Sequence, residues 1–138
     1  MKYGSLIIEK KEYVYLKRIL NISEYVEDFQ TQKSLIRLGE ELKNALIVDE
    51  DDIPKDIVRF TSHVTVRSEI GWEKTIQIVI PAEKDAKNDK ISVLRPMGAA
   101  LFGYAEGDSM TWDFLTGKQQ LKIVSVIQME DQKINVTT

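Results

Sequence analysis

Apolar positions recur at helical spacing through the first third of the chain and alternate in twos after it. Tyr3 to Ile8 is a short apolar segment, a strand or a lead-in. From Lys10 to Leu20 strong helix formers carry Tyr13, Leu16 and Leu20 on one face, at i, i+3 and i+7. Asn21 to Asp28 loses that period and holds Asn, Ser and Asp, which predicts a turn. Asp28 is placed to cap a second helix from Phe29 to Ile47. There Leu35, Leu38, Leu42 and Leu46 form a stripe, with Lys33, Arg37, Glu40, Glu41 and Lys43 facing away. Two amphipathic helices joined by a short turn predict an antiparallel helical hairpin. Pro54 closes this helical region.

The period then changes to two. His63-Val64-Thr65-Val66-Arg67 and Thr75-Ile76-Gln77-Ile78-Val79-Ile80 alternate as strands, and Gly71 lies in the loop between them. Glu83 to Lys90 is polar and predicts a loop, and Ile91 to Leu94 a short strand. Pro96 suits the first turn of a helix over Met97 to Phe102, and Gly103 is positioned to stop it. Asp108 to Leu115 and Gln119 to Gln128 predict a last hairpin around Thr116-Gly117. Helices precede strands rather than alternating with them. The expected class is α+β, with an antiparallel sheet and one short helix. The expected organisation is a helical hairpin with an acidic linker over 1–52 and a sheet domain over 53–138.

Composition narrows the chemistry. The chain has 138 residues, a net charge of −3, no cysteine and one histidine. Disulfides, thiolate metal sites and Cys nucleophiles are excluded, and so is a multi-His metal site. No metal site and no cofactor are expected. No apolar run reaches the ~18 residues of a membrane span, and no long apolar stretch follows the N-terminal basic residue. A cytoplasmic protein with no membrane association is the expectation. The first 53 residues hold 8 Lys/Arg and 11 Asp/Glu, and the remaining 85 hold 11 of each. Neither part has the basic excess of a duplex binder, so sequence-specific nucleic-acid binding is not expected. The run Asp49-Glu50-Asp51-Asp52 is either a solvated linker or a docking surface for a basic partner. His63 lies in an alternating strand with no evident Ser/Asp partner, which predicts a surface or edge residue. Trp72 and Trp112 are expected in sheet packing. No phosphate loop of Gly-x-x-x-x-Gly-Lys-Ser/Thr type is present.

One segment carries a resemblance. Ile91-Ser92-Val93-Leu94-Arg95-Pro96-Met97-Gly98-Ala99-Ala100-Leu101 runs on through Gly103-Tyr104-Ala105-Glu106-Gly107-Asp108. It resembles the C-terminal domain of the Gre-type transcription elongation factors. The opening Ile53-Pro54-Lys55-Asp56-Ile57-Val58 and the closing Leu121-Lys122-Ile123-Val124-Ser125-Val126 fit as well, so the likeness covers Ile53 to Gln128. The resemblance implies an FKBP-like domain preceded by a helical hairpin, and bacterial RNA polymerase as the partner. In this family the turn before the short helix is implied in docking at the polymerase secondary-channel rim. By position, Ser92, Leu94 and Pro96 inherit that role. Some members carry an acidic residue where this chain has Leu94. Gly98, Ala100, Leu101, Gly103, Gly107 and Asp108 are expected to maintain the fold.

Gre factors are thought to reach the polymerase centre with a long hairpin whose acidic tip helps hold magnesium. Carboxylates suit that ion, and a second metal can activate water for phosphodiester cleavage. Here Glu24, Glu27 and Asp28 are the tip candidates. An arm from Lys10 to Leu20 spans only about 16 Å, and with its turn about 25 Å. The short arm resembles the branch called regulator of nucleoside diphosphate kinase. The expectation is therefore a monomeric, non-enzymatic polymerase-binding regulator. The alternative is a transcript-cleavage factor using the acidic tip, and a prolyl isomerase is a third class that the fold alone would suggest. Tyr25, Val26 and Phe29 are apolar near the tip, and are expected to fold back on the sheet domain or to meet a partner.

Overall fold

The computed structural model describes residues 1–22, 29–114 and 117–128. Strand β1 (Ile7–Glu9) runs directly into helix α1 (Lys10–Ile22), and helix α2 (Phe29–Leu42) leads to strand β2 (Leu46–Val48). β1 and β2 pair in parallel, with Ile7 opposite Leu46 and Glu9 opposite Val48. Leu46 and Ile47 thus stand in a strand and not at the end of α2, as their place in the leucine stripe predicts. The reason is local. Tight turns from Lys43 N–H to the Glu40 carbonyl and from Asn44 N–H to the Glu41 carbonyl, both 3.2 Å, close the helix. The Leu46 N–H then donates to the Leu6 carbonyl at 2.8 Å, and the β-branched pair Ile47-Val48 suits the extended chain.

Helix α1 ends two residues later than the sequence pattern predicts. Its buried face is Glu12, Leu16 and Ile19, while Tyr13 and Leu20 pack half-buried beside it. Glu9 caps the helix: its carboxylate accepts the N–H groups of Lys11 and Glu12, each at 3.0 Å.

Strands β3 (His63–Ser68), β4 (Glu73–Val79), β5 (Lys90–Ser92), β6 (Ser109–Phe114) and β7 (Gly117–Ile127) form one sheet in the order β5-β4-β3-β7-β6. The pairs are antiparallel except β4 with β5, which is parallel. The polar connection 80–89 carries the chain back to the start of β5, so the predicted antiparallel sheet has one parallel edge. His63 opens the central strand, half-buried, rather than lying at an edge. The register of β7 shifts against β3 between Thr65 and Val66, with Thr65 opposite Ser125 and Val66 opposite Ile123. This bulge at Val124 lets Leu121, Ile123 and Val126 all be buried although their spacing breaks period two. Trp72 and Trp112 pack half-buried against the core, as expected.

One apolar cluster fills the molecule. It joins Leu16, Ile19, Leu38 and Leu42 of the hairpin to Val64, Val66, Ile76, Ile78, Leu121 and Ile123 of the sheet. Phe60 sits at its centre, 4.8 Å from the Phe102 ring and edge-on to Tyr15 at 5.7 Å. The class is α+β, with helices packed beside a mostly antiparallel five-stranded sheet.

Candidate functional site

The turn between β5 and helix α3 (Pro96–Leu101) is built by backbone bonds on both sides. Pairing with β4 sets its first half, and the Val93 N–H donates to the Val79 carbonyl at 3.0 Å. The Arg95 N–H closes the turn on the Ser92 carbonyl at 2.9 Å. Pro96 then opens α3 with no N–H to satisfy, and the Arg95 carbonyl accepts the Ala99 N–H at 2.8 Å. Gly98 makes the packing possible. A Cβ there would stand 2.4 Å from the Ser92 carbonyl oxygen, so a side chain would push helix and turn apart.

The three residues singled out by sequence fall in this one turn but face differently. Ser92 is buried, and its hydroxyl accepts the Leu94 N–H at 3.1 Å within the turn. Leu94 is half-buried and packs partly against the core, and Pro96 is half-buried. Arg95, between them, is exposed, as is Lys90 at the start of β5. The outer surface of the turn is thus Leu94, Arg95 and Pro96, with a cationic edge. Sequence reasoning missed Arg95, although it is the one charged side chain in the run from Ile91 to Tyr104. Glu24, Glu27, Asp28, Tyr25 and Val26 lie outside the described residues, as does the side chain of Phe29.

The residues downstream of α3 hold the fold. Gly107 adopts φ +94, and the buried Asp108 carboxylate accepts the Ala105 N–H at 2.8 Å. Tyr104 ties this segment to the hairpin, its hydroxyl donating to Glu41 at 2.7 Å. Burial and that carboxylate push the Tyr104 phenol up to about 12. Glu41 is therefore a bonded residue of α2 and does not simply face solvent.

A second polar centre lies where α1, the acidic run and the entry to β3 meet. Arg59 is buried, and its guanidinium donates to Glu12 Oε2 at 2.8 Å. It also donates to Glu50 Oε2 at 2.7 Å and to Glu50 Oε1 at 2.8 Å. Burial disfavours the charge on Arg59, but the bonds to Glu50 and Glu12 outweigh it and raise its pKa. Burial dominates at Glu12, whose carboxyl is pushed up to about 7 despite Arg59, with Glu9 and Glu50 adding to the rise. The acidic run is thus not wholly a solvated linker: Glu50 forms an internal ion pair.

Comparison with known proteins places this architecture. Residues 53–128 match the family model "Transcription elongation factor, GreA/GreB, C-term", more than half of the chain. The chain belongs to the GreA/GreB family. A GreA of Clostridium beijerinckii is 39% identical over 97 residues, which cover 70% of this chain and 61% of that protein. A GreA of Clostridium botulinum strain Langeland is 41% identical over 93 residues, 67% of this chain and 58% of that protein. The match to these GreA relatives therefore spans about three-fifths of their length. Among solved structures, GreA/GreB from Nitrosomonas europaea superimposes with a TM-score of 0.74 at 29% identity, over 91% of this chain and 99% of that one. Gfh1 of Thermus aquaticus, at 22% identity and a TM-score of 0.51, has a related fold. The stretch from Ile91 to Asp108 lies inside the matched residues and forms the end of β5, its turn, α3 and the entry to β6. No helix among the described residues is long and apolar enough to cross a membrane.

Proposed function

We propose that the chain binds bacterial RNA polymerase as a cytoplasmic monomer, through the Leu94–Pro96 turn, and regulates it without stimulating transcript cleavage. The observation that carries this reading is the length of the arm. Among the described residues α1 has 13 and α2 has 14, so each described rod is about 20 Å long. Leu16 and Ile19 of α1, with Leu38 and Leu42 of α2, are sunk in the common core, which leaves less than that length of described helix free to project. A docked molecule of this shape sits at the mouth of a channel rather than at its end. The turn supplies an apolar contact from Leu94 and Pro96 and a cation from Arg95, which suits an apolar surface rimmed by carboxylates. Ser92 contributes by holding the turn, not by touching the partner.

Two measurements test the two parts separately. Interferometry with immobilised bacterial RNA polymerase is expected to show saturable binding that Leu94→Ser weakens roughly tenfold or more, the loss of one anchor residue. Absence of binding at micromolar concentration would overturn the docking reading. A stalled elongation complex with Mg²⁺ and saturating protein is expected to keep its transcript intact. Release of short 3′ fragments, abolished by substituting Glu24 and Glu27, would instead establish the cleavage factor.

A further inference from the structure

Three carboxylates surround one buried guanidinium at the start of α1. Arg59 meets Glu12 of α1 and Glu50 of the acidic run, and Glu9 at the end of β1 acts on Glu12 from the other side. Glu9 is engaged already, accepting the N–H groups of Lys11 and Glu12. The guanidinium is thus left to Glu12 and Glu50. Its Nη2 is shared between them, 2.8 Å from each. With both carboxylates ionised the pair carries one negative charge more than Arg59 can balance.

The two carboxylates differ in how they can answer that excess. Glu12 stands on the buried face of α1 beside Leu16 and Ile19, with 4% of its side chain exposed. It has no route to water, so once ionised it must keep Arg59. Glu50 keeps 41% of its side chain exposed and borders a cleft of about 430 Å³. Lys10, Lys11 and Arg18 of α1 line that cleft and are exposed. Asp49 and Glu9 line it as well, so with Glu50 its charges balance. Tyr15, the remaining titratable group there, is held above the ordinary phenol value by burial and stays neutral. Glu50 therefore has a second position, in water and towards the cations across the cleft.

We propose that this centre is a proton-operated clasp. While Glu12 carries a proton, Arg59 and Glu50 form a one-to-one pair that closes the linker onto α1. When Glu12 ionises it takes the guanidinium, and Glu50 turns out into the cleft. Burial sets the direction: it pushes the Glu12 carboxyl up to about 7 against the pull of Arg59, and Glu9 and Glu50 add to the rise. The clasp is closed below that pH and open above it. The moving part is the turn Glu50–Asp52, closed by the Asp52 N–H on the Asp49 carbonyl at 2.9 Å. Val48 and Ile53 on either side stay packed with Ile7 and Ile57, which confines the release to the turn. That turn connects the helical hairpin to the sheet, so the proton decides whether the connection is tied to α1.

The test is amide hydrogen exchange of the full chain by NMR at pH 6 and pH 8, expressed as protection factors so that the intrinsic pH dependence of exchange cancels. Protection of the Glu50–Asp52 amides is expected to fall roughly tenfold across that range, more than that of the Ile123 N–H, which donates to the Asp108 carbonyl beside the sheet. Glu12→Gln, neutral at every pH, is expected to keep the protection of the turn constant. Glu50→Gln removes the released partner and is expected to leave protection low at both pH values. Thermal midpoints check that both variants fold. A carbon-13 titration of the native chain, which needs no variant, is expected to place the Glu12 carboxyl near 7. Equal protection of the turn at pH 6 and pH 8 would overturn the proposal. So would the same fall in Glu12→Gln, or a Glu12 carboxyl that titrates in the ordinary carboxylate range. None of these readings involves RNA polymerase, so they stand apart from the docking assay.

Discussion

Glu12 is nearly closed to solvent, with 4% of its side chain exposed, and shares one guanidinium with Glu50. Its carboxyl is pushed up to about 7 in the folded chain, above its ordinary value of 4.5. The folded state therefore binds a proton more readily than the unfolded chain between those values. The resulting stabilisation is fully present below about 4.5 and is lost as pH rises through about 7. Its slope approaches about 1.4 kcal/mol per pH unit inside that window. Thermal melts are expected to show a midpoint falling from pH 5 towards pH 8 on this account, and Glu12→Gln should flatten that fall. Arg59 gives the complementary prediction. Arg59→Met leaves two carboxylates near each other without their cation, one of them buried. Above pH 7 it is expected to cost about 3–5 kcal/mol, read by urea unfolding, and less at pH 5, where Glu12 is neutral. Nothing in the sequence announced this centre. Glu12 and Arg59 lie 47 residues apart, and neither periodicity nor composition marks which charge of a helix turns inward. Glu12 sits on the buried face of α1 beside Leu16 and Ile19, a place where a pattern of apolar residues predicts an apolar one.

At the scale of elements, legibility followed the strength of local signals. Pro96 at the start of α3, Gly71 between β3 and β4, and the alternation in both strands are local, and those elements stand where they were predicted. β2 was hidden because Leu46 continues the helical spacing of Leu35, Leu38 and Leu42, and only pairing with β1 draws it out. The bulge in β7 was hidden for a similar reason, since period two cannot show where a register shifts. The orientation of Ser92 was equally beyond the sequence, because its hydroxyl bond to Leu94 depends on the closed turn. That turn and α3 act as one unit through Gly98. Its missing Cβ would meet the Ser92 carbonyl at 2.4 Å and the Val93 Cα at 3.0 Å, both backbone atoms that cannot rotate away. Gly98→Ala is therefore expected to destabilise by about 1–3 kcal/mol, in spite of the better helix propensity of alanine. Denaturant unfolding measures the loss. Polymerase affinity should fall with it, because the displaced carbonyl is the one that closes the turn carrying Leu94 and Arg95.

At the scale of the whole molecule, the hairpin and the sheet share one interior. Leu6, Ile8, Leu16, Ile19, Leu38 and Leu42 come from the first 52 residues, all buried, in the same cluster as Phe60, Phe102 and the inner face of the sheet. Each fully buried side chain of this kind is worth about 1.5–3 kcal/mol, so six of them together approach the entire stability of a typical domain. The polar ties run the same way, from Glu12 and Glu50 to Arg59 and from Glu41 to Tyr104. The stretch 53–128 that matches the family model consequently lacks one wall of its core when cut out alone. Expressed by itself, it is expected to bind a hydrophobic dye and to unfold without a cooperative transition, whereas the full chain should unfold in a single step by both circular dichroism and tryptophan fluorescence. A sharp transition in the isolated fragment at the midpoint of the full chain would show that the hairpin is an independent appendage. The shared core matters for function because it makes the arm rigid at its base. Through that core the described parts of α1 and α2 are held at one position relative to the β5–α3 turn.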